Sequence, residues 1–252
     1  MPLVLVLAYV GAEGLRGLSW SFFTELPAPV GEVGGGMANA LLGTLLLVGV
    51  ACLLSLPVGL LAGIYLSEFG HGSRLASAAR FAADVLSGVP SILIGLFVYT
   101  LVVVPMRGFS ALSGAVALGV LMIPIVMRGT EEVLRLVPDS LREAALGLGV
   151  PRWRAILGVV MPSAGPGIVT AVMLAVARAA GETAPLLFTA FGNRDWSAGL
   201  DQPIAALPLQ IYTYAISPYE DWHRQAWAAS LVLVGLVLIL NLGARFMVRR
   251  RR

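Results

Sequence analysis

The sequence predicts an all-helical, polytopic membrane protein with about six spans, the first of them shortened. Three observations support this fold class. Hydrophobic residues make up 58% of the 252 residues and charged residues only 12%, about half of the charged share of a typical soluble domain. The mean hydropathy is +0.87. Several apolar runs also reach the length of about 20 residues that a helix needs to cross a bilayer.

The residue types that the chain lacks exclude several kinds of site. All 17 basic residues are arginines, so the chain has no P-loop, whose lysine holds nucleotide phosphates. Cys52 is the single cysteine, which excludes an internal disulfide and a thiolate metal cluster. We therefore expect neither a cofactor nor a metal site.

The apolar runs define the predicted spans in order along the chain. Residues 2–10 are apolar but too few to cross a bilayer, and they lack the basic n-region of a signal peptide. Residues 13–36 carry acids, prolines and three successive glycines, a composition that predicts a loop. The remaining runs lie at about 38–66, 81–106, 112–127, 163–190 and 226–248.

These runs divide the chain into three parts. Residues 1–37 form the shortened first span and an outer loop, residues 38–248 form the transmembrane core, and residues 249–252 form a basic tail. A second outer loop at 191–225 is rich in Trp, Tyr and Pro, and its stretch 203–215 predicts a short interfacial or re-entrant helix.

Arginine counting predicts the orientation of the chain in the membrane. One set of span ends carries twelve of the seventeen arginines: Arg74, Arg80, Arg128, Arg135, Arg142, Arg152, Arg154, Arg245 and Arg249 to Arg252. Positive residues concentrate on the cytoplasmic side of membrane proteins. The C-terminus is therefore expected in the cytoplasm.

Residues 138–162, PDSLREAALGLGVPRWRAILGVVMP, are here called the elbow, and they predict two short helices joined by a turn. Residues 140–143 have the pattern of a capping box. Gly149 allows the turn, Pro151 suits the start of the second helix, and Pro162 marks its exit into the next span. The elbow offers small residues for close docking and arginines for a polar partner.

The spacing within the elbow is similar to the EAA signature of ABC importer permeases. Glu143-Ala144-Ala145 is followed after three residues by Gly149, and after nine more by Val159-x-Met161-Pro162, where the family has Ile-x-Leu-Pro. In that family this segment is the coupling helix that fits a cleft in a cytoplasmic ATPase. The resemblance implies ATPase-coupling roles for Glu143, Ala144, Ala145 and Gly149.

Further blocks resemble the A-type permeases of bacterial high-affinity phosphate importers. They are GGGMANALLGT (34–44), GIYLSEFG (63–70), VPSILIGLFVYTLVV (89–103), LVPDSLREAALGLGVPRW (136–153), ARAAGETAPLLFTA (177–190) and QPIAALPLQIY (202–212). The match covers about residues 20–245, and its most specific block is GETAPLLFTA. Members of that family usually begin with a cytoplasmic segment and a complete first span, so either the true start lies upstream or the first helix is shortened here.

The resemblance implies a transport permease of the cytoplasmic membrane of a bacterium or archaeon, which carries inorganic phosphate while a partner subunit hydrolyses ATP. The implied partners are a second, C-type permease, a cytoplasmic ATPase dimer and an extracytoplasmic phosphate-binding protein, besides membrane lipid. Nucleic acid is not expected as a partner, and the chain itself is not expected to be an enzyme.

Arg178 and Glu182 are the only charged residues in their apolar run, and they stand at i and i+4 on one helix face. A charge inside a membrane costs about 2.5–3.5 kcal/mol on insertion scales, so such residues face a protein interior or a wet cavity. Gly181 and Pro185 weaken the helix, which predicts opened amide groups that favour an anion. Because arginine binds phosphate oxygens bidentately, we expect Arg178, Glu182 and Thr183 to line the substrate pathway.

Several alternatives stay open at this point. Arg178 and Glu182 can instead neutralise each other, or pair with a neighbouring helix, and hold the bundle together. The nearest rival function is a permease for another anion or for amino acids. An intramembrane enzyme would need clustered catalytic His, Asp or Lys, whereas this chain has two scattered histidines and no lysine. An ion channel does not need the elbow.

Overall fold

The computed structural model describes residues 2–249, which confirm the all-helical fold class. The helices are α1 Pro2–Gly17, α2 Trp20–Thr24, α3 Ala38–Glu68, α4 Arg74–Gly88, α5 Ser91–Val98, α6 Val104–Met106, α7 Ala111–Arg135, α8 Asp139–Gly147, α9 Arg152–Ala155, α10 Met161–Gly181, α11 Ala184–Leu187, α12 Leu207–Ala215 and α13 Glu220–Arg249. Two π-helical segments, Tyr99–Val103 and Ile156–Val160, join α5 to α6 and α9 to α10. Residues 250–252 of the predicted basic tail lie outside the described residues.

Within residues 2–249, four helices are long and apolar enough to cross a membrane: α3, α7, the continuous helix Arg152–Gly181 and α13. A fifth candidate is the pair formed by α4 and the helix Ser91–Met106, which meet at an angle of 105°. The prediction of one helix over 81–106 is therefore wrong at Val89. This residue has an extended backbone (φ −70°, ψ 131°), because a following proline disfavours the helical conformation.

The first segment also differs from its prediction. Residues 13–36 were expected to form a loop, whereas α1 continues to Gly17 and α2 follows at once. Packing against α13 explains the longer helix. Gly14 lies so close to α13 that a Cβ there would be 2.6 Å from the Cβ of Leu231, and the rings of Tyr9 and Trp227 meet edge to face.

The described chain divides into two compact units, and each has its own core. The first unit contains the chain up to Ala51, together with Pro90–Leu118 and Arg178–Ile239. Its core is built around Phe22, Met37, Leu207, Tyr214 and Trp222, and the ring of Tyr214 stacks on that of Trp222 at 4.2 Å. The predicted short helix near 203–215 is present in this unit as α12.

The second unit contains Cys52–Val89, Gly119–Ala177 and the chain from Leu240 onward. Here α3 and α7 approach closely through the small residues of a GxxxG pattern. A Cβ on Gly59 would lie 2.8 Å from the Cβ of Val126, and a Cβ on Gly63 would lie 2.7 Å from the Cβ of Thr130. Only glycine leaves room for this contact, which holds the part of α7 that leads into the elbow.

Candidate functional site

Arg178 lies in the last turn of α10, three residues before the helix ends at Gly181. The helix thus ends nine residues before the end of the apolar run predicted at 163–190, and Arg178 lies near its C-terminal end. At the C-terminal end of a helix a cation interacts favourably with the helix dipole. The Nε of Arg178 donates to Oε1 of Glu182 over 3.2 Å, so the predicted i, i+4 pair is present.

The two partners of this pair differ in exposure. In the isolated chain the side chain of Arg178 is 47% exposed, whereas that of Glu182 is 15% exposed. Among the described residues, the terminal nitrogens of the Arg178 guanidinium have no hydrogen-bond acceptor. The glutamate is thus the more buried partner of the pair, and the arginine keeps donors available to a further group.

The break after α10 leaves some backbone amides bonded within the chain and others open. The helix does end at Gly181, and Thr183 precedes the short helix α11. However, the amide of Glu182 donates to the carbonyl of Ala179, and the amide of Leu186 donates to that of Thr183. Pro185 has no amide hydrogen. Among the described residues, the amides of Thr183 and Ala184 have no backbone acceptor, so the expectation of opened amides beside Arg178 stays a prediction.

Close packing against α5 fixes the segment that follows Arg178. A Cβ on Gly95 would lie 2.6 Å from the Cα of Pro185, so the two backbones touch. Pro185 and Leu186 are buried, whereas Thr183 is half-buried. The three predicted pathway residues therefore lie on one short, firmly packed segment, with Arg178 the most exposed of them.

The elbow contains the predicted short helix, α8, and the predicted turn. Gly149 has a φ of +77°, in the left-handed region that glycine adopts at little cost. The capping box is absent, because α8 begins at Asp139 and no side chain caps it. Residues 140–143 fall inside the first turns instead.

The second part of the elbow is not a separate helix. Pro162 was expected to mark an exit, whereas Arg152–Gly181 is one continuous helix that contains the π-helical segment Ile156–Val160. The elbow is therefore α8, a tight turn, and the projecting end of the span that follows.

The four predicted coupling residues do not share one environment. Glu143, Ala144 and Gly149 are exposed, whereas Ala145 is 6% exposed. Leu148 beside them is 84% exposed. Glu143, Ala144, Leu148 and Gly149 thus present an acidic group, small residues and an apolar side chain, a combination that suits close contact with another protein surface.

The arginines of the elbow face two directions. Arg142 turns back to its own chain and binds Glu68, the last residue of α3, through both carboxylate oxygens at 2.8 and 3.2 Å. These hydrogen bonds raise the pKa of the Arg142 guanidinium above its ordinary value. Arg154, in contrast, lies over the exposed ring of Trp153. The expectation that the elbow arginines serve a polar partner is therefore wrong for Arg142.

Sequence reasoning missed two buried glutamates, Glu68 and Glu131. The carboxylate of Glu131 binds Arg80, Arg128 and Arg135, and its side chain is 1% exposed. Two arginines of the same helix stand at i−3 and i+4 from Glu131, and this spacing could have predicted the cluster from the sequence. The contact of Glu68 with Arg142 joins residues 74 positions apart, and no local pattern predicts it.

Residues 55–252 match the family described as the binding-protein-dependent transport system inner membrane component. The phosphate transport system permease protein PstA of Yersinia pestis is 47% identical over 250 residues, which cover 99% of this chain and 85% of that protein. PstA 1 of Mycobacterium tuberculosis (strain CDC 1551 / Oshkosh) is 42% identical over 264 residues, covering all of this chain and 85% of that protein. The chain belongs to the PstA family of transport permeases.

Solved structures agree with this membership at the level of the fold. A chain of the MetNI methionine ABC transporter, crystallised in an inward-facing conformation, matches the permease with a TM-score of 0.66 and 20% identity, covering 84% of this chain and 92% of that one. An amino acid ABC transporter crystallised with histidines matches with a TM-score of 0.60 and 16% identity, covering 85% and 92%. The permease therefore has the ABC importer fold.

Proposed function

We propose that this chain is the A-type permease subunit of an ATP-driven importer that carries inorganic phosphate across the cytoplasmic membrane of a bacterium. The observation that carries the proposal is the 47% identity, over 99% of the chain, to a phosphate transport system permease. The two solved structures described above, of a methionine and an amino acid transporter, are only 20% and 16% identical, so their cargo has no bearing on this chain. A permease for another anion or for amino acids is correspondingly disfavoured.

The elbow is the surface that meets the ATPase, and it lies in the cytoplasm together with the C-terminus. The concentration of arginines at this end of the spans supports the orientation. In this assignment Glu143, Ala144 and Gly149 contact the ATPase directly. Ala145 is buried, so its small side chain instead lets α8 pack against the chain behind it.

The substrate pathway passes Arg178, with Glu182 and Thr183 beside it. Arginine binds a phosphate through charge-assisted hydrogen bonds. Glu182 occupies the Nε of Arg178 and offsets its charge, which limits how tightly the site holds an anion. A site on a transport route must release its cargo as well as bind it. A second, C-type permease supplies further polar groups on the opposite wall.

Reconstitution tests the proposal. The complex of this chain with the second permease and the ATPase dimer is placed in proteoliposomes, with the phosphate-binding protein on the outer side. We expect uptake of radiolabelled phosphate that requires both ATP and the binding protein, and that excess sulfate or methionine does not reduce. Uptake of sulfate or methionine in place of phosphate would contradict the assignment.

A further inference from the structure

Arg142 joins the elbow to two spans of the second unit. Its Nη2 donates to the carbonyl of Leu134 at 2.9 Å and its Nη1 donates to the carbonyl of Val137 at 2.6 Å. These carbonyls belong to the end of α7 and to the residues just after it, and the carbonyl of Leu134 also accepts from the amide of Val137. The same guanidinium binds Glu68 at the end of α3. One side chain of the elbow therefore holds the ends of α3 and α7.

The second half of the elbow reaches the same place. The guanidinium of Arg152 donates to the backbone carbonyl of Glu68, and it lies over the ring of Phe69 at 4.9 Å. The side chain of Glu68 thus accepts hydrogen bonds from Arg142, and its backbone carbonyl accepts one from Arg152. Glu68, Arg142 and Arg152 line a polar cavity of about 350 Å³ between the elbow and the end of α3.

The burial of Glu68 gives this contact its rigidity. Its side chain is 4% exposed and that of Arg142 is 20% exposed. A buried carboxylate that loses its cation is left without compensation, which is strongly unfavourable. The end of α3 and the elbow therefore keep their contact when the elbow is displaced.

We propose that Glu68 is a positioning residue that transmits displacement of the elbow to α3. The proposal rests on the function proposed above, in which the elbow docks on the ATPase. It separates two roles within the elbow. The exposed Glu143 and Ala144 meet the ATPase, whereas the inward-facing Arg142 and its partner Glu68 carry the motion into the membrane.

Substitution of Glu68 by Gln tests this separation in the full reconstituted complex. The change keeps the shape of the side chain and removes its charge. We expect the variant to retain the ATPase on purification, because the outward face of the elbow is unaltered. We also expect ATP consumed per phosphate imported to rise by about tenfold, as one partner of a buried charge pair is lost.

The control is Glu13→Gln. Glu13 also pairs with an arginine, Arg16, but within the single helix α1 and with that arginine 73% exposed. This variant should match the wild type in ATPase retention and in ATP per phosphate. Combining Glu68→Gln with Arg142→Gln should be no worse than Arg142→Gln alone, since both remove the same contact.

Other outcomes overturn the proposal. A Glu68→Gln complex that assembles and keeps the wild-type ATP-to-phosphate ratio shows that no motion passes through Glu68. If this variant does not assemble, Glu68→Asp keeps the charge on a shorter side chain and is measured instead. Failure of both variants to assemble assigns Glu68 a purely structural role. A wild-type complex that retains the ATPase but imports no phosphate contradicts the proposed function instead.

Discussion

At the scale of single residues, the pair formed by Arg178 and Glu182 has two possible roles, which are binding of the substrate on its pathway and stabilisation of the helix bundle. An exposed ion pair is worth about 0–1 kcal/mol, and the Arg178 side chain is 47% exposed. The two residues also belong to one continuous segment, so their contact joins no separate helices. The geometry therefore favours a role in binding over a role in holding the bundle together.

Neutralising Arg178 should abolish transport without loss of the complex. Arg178→Gln keeps much of the side-chain length and removes the charge, so we expect phosphate uptake to fall to background while the yield of assembled complex is unchanged. Arg178→Lys retains the charge but loses the planar donor pair, and partial uptake is expected. Complex yield and phosphate flux are measured on the same preparations.

The double variant Arg178→Gln with Glu182→Gln is the decisive comparison. If the pair only stabilises the bundle, each single neutral variant lowers the yield and the double variant restores both yield and transport. Normal transport by the double variant would therefore refute the pathway role. Arg16→Gln, which breaks the exposed pair on α1, controls for the loss of an arginine elsewhere.

At the scale of the helices, prolines explain where sequence reasoning succeeded and where it did not. Pro90 breaks its helix, whereas Pro57, Pro124 and Pro166 lie inside theirs. Prolines are tolerated within membrane helices where neighbouring groups satisfy the freed carbonyls. Whether a proline is tolerated in a helix therefore depends on tertiary contacts, and the length of an apolar run gives no information about them.

The two π-helical segments have the same relation to a proline. Tyr99–Val103 ends two residues before Pro105, and Ile156–Val160 ends two residues before Pro162. A proline ring clashes with the carbonyl four residues earlier, and a widened turn relieves that clash. This is why Pro162 does not end the helix. The long apolar runs and the elbow turn were predictable, because they depend on local composition and on Gly149.

Gly149 allows a matched test of the elbow turn. A Cβ would have open space at both Gly147 and Gly149, but only Gly149 has a positive φ. Gly149→Ala should therefore strain the turn by about 1 kcal/mol and lower phosphate uptake per ATP, whereas Gly147→Ala, at the end of α8, should change little. ATPase activity and uptake in proteoliposomes provide the measurement. Equal effects of the two variants would contradict a conformational role of Gly149.

At the scale of the whole molecule, the proposed orientation rests on the distribution of arginines rather than on any single contact. Leu148 in the elbow and Trp196 in the 191–225 loop are 84% and 50% exposed. They are expected on opposite sides of the membrane, with Leu148 in the cytoplasm. Both positions accept a reporter without disturbing a core.

Cysteine labelling tests this orientation. In a Cys52→Ala background, Trp196→Cys should react with a membrane-impermeant maleimide in spheroplasts, and Leu148→Cys should react only after permeabilisation. The parent without cysteine measures background labelling. Reaction of Leu148→Cys in intact spheroplasts would reverse the orientation and remove the elbow from contact with a cytoplasmic ATPase.

The bond between Glu68 and Arg142 also determines the parity of membrane crossings. Two bonded residues outside the hydrocarbon core lie on the same side of the bilayer, so the chain crosses an even number of times between them. With α7 as one of these crossings, we expect the bent segment Arg74–Met106 to be the other and to cross once. With α3, Arg152–Gly181 and α13, the expected crossings from Ala38 onward number five, so we expect the start of α3 and the end of α13 in different compartments.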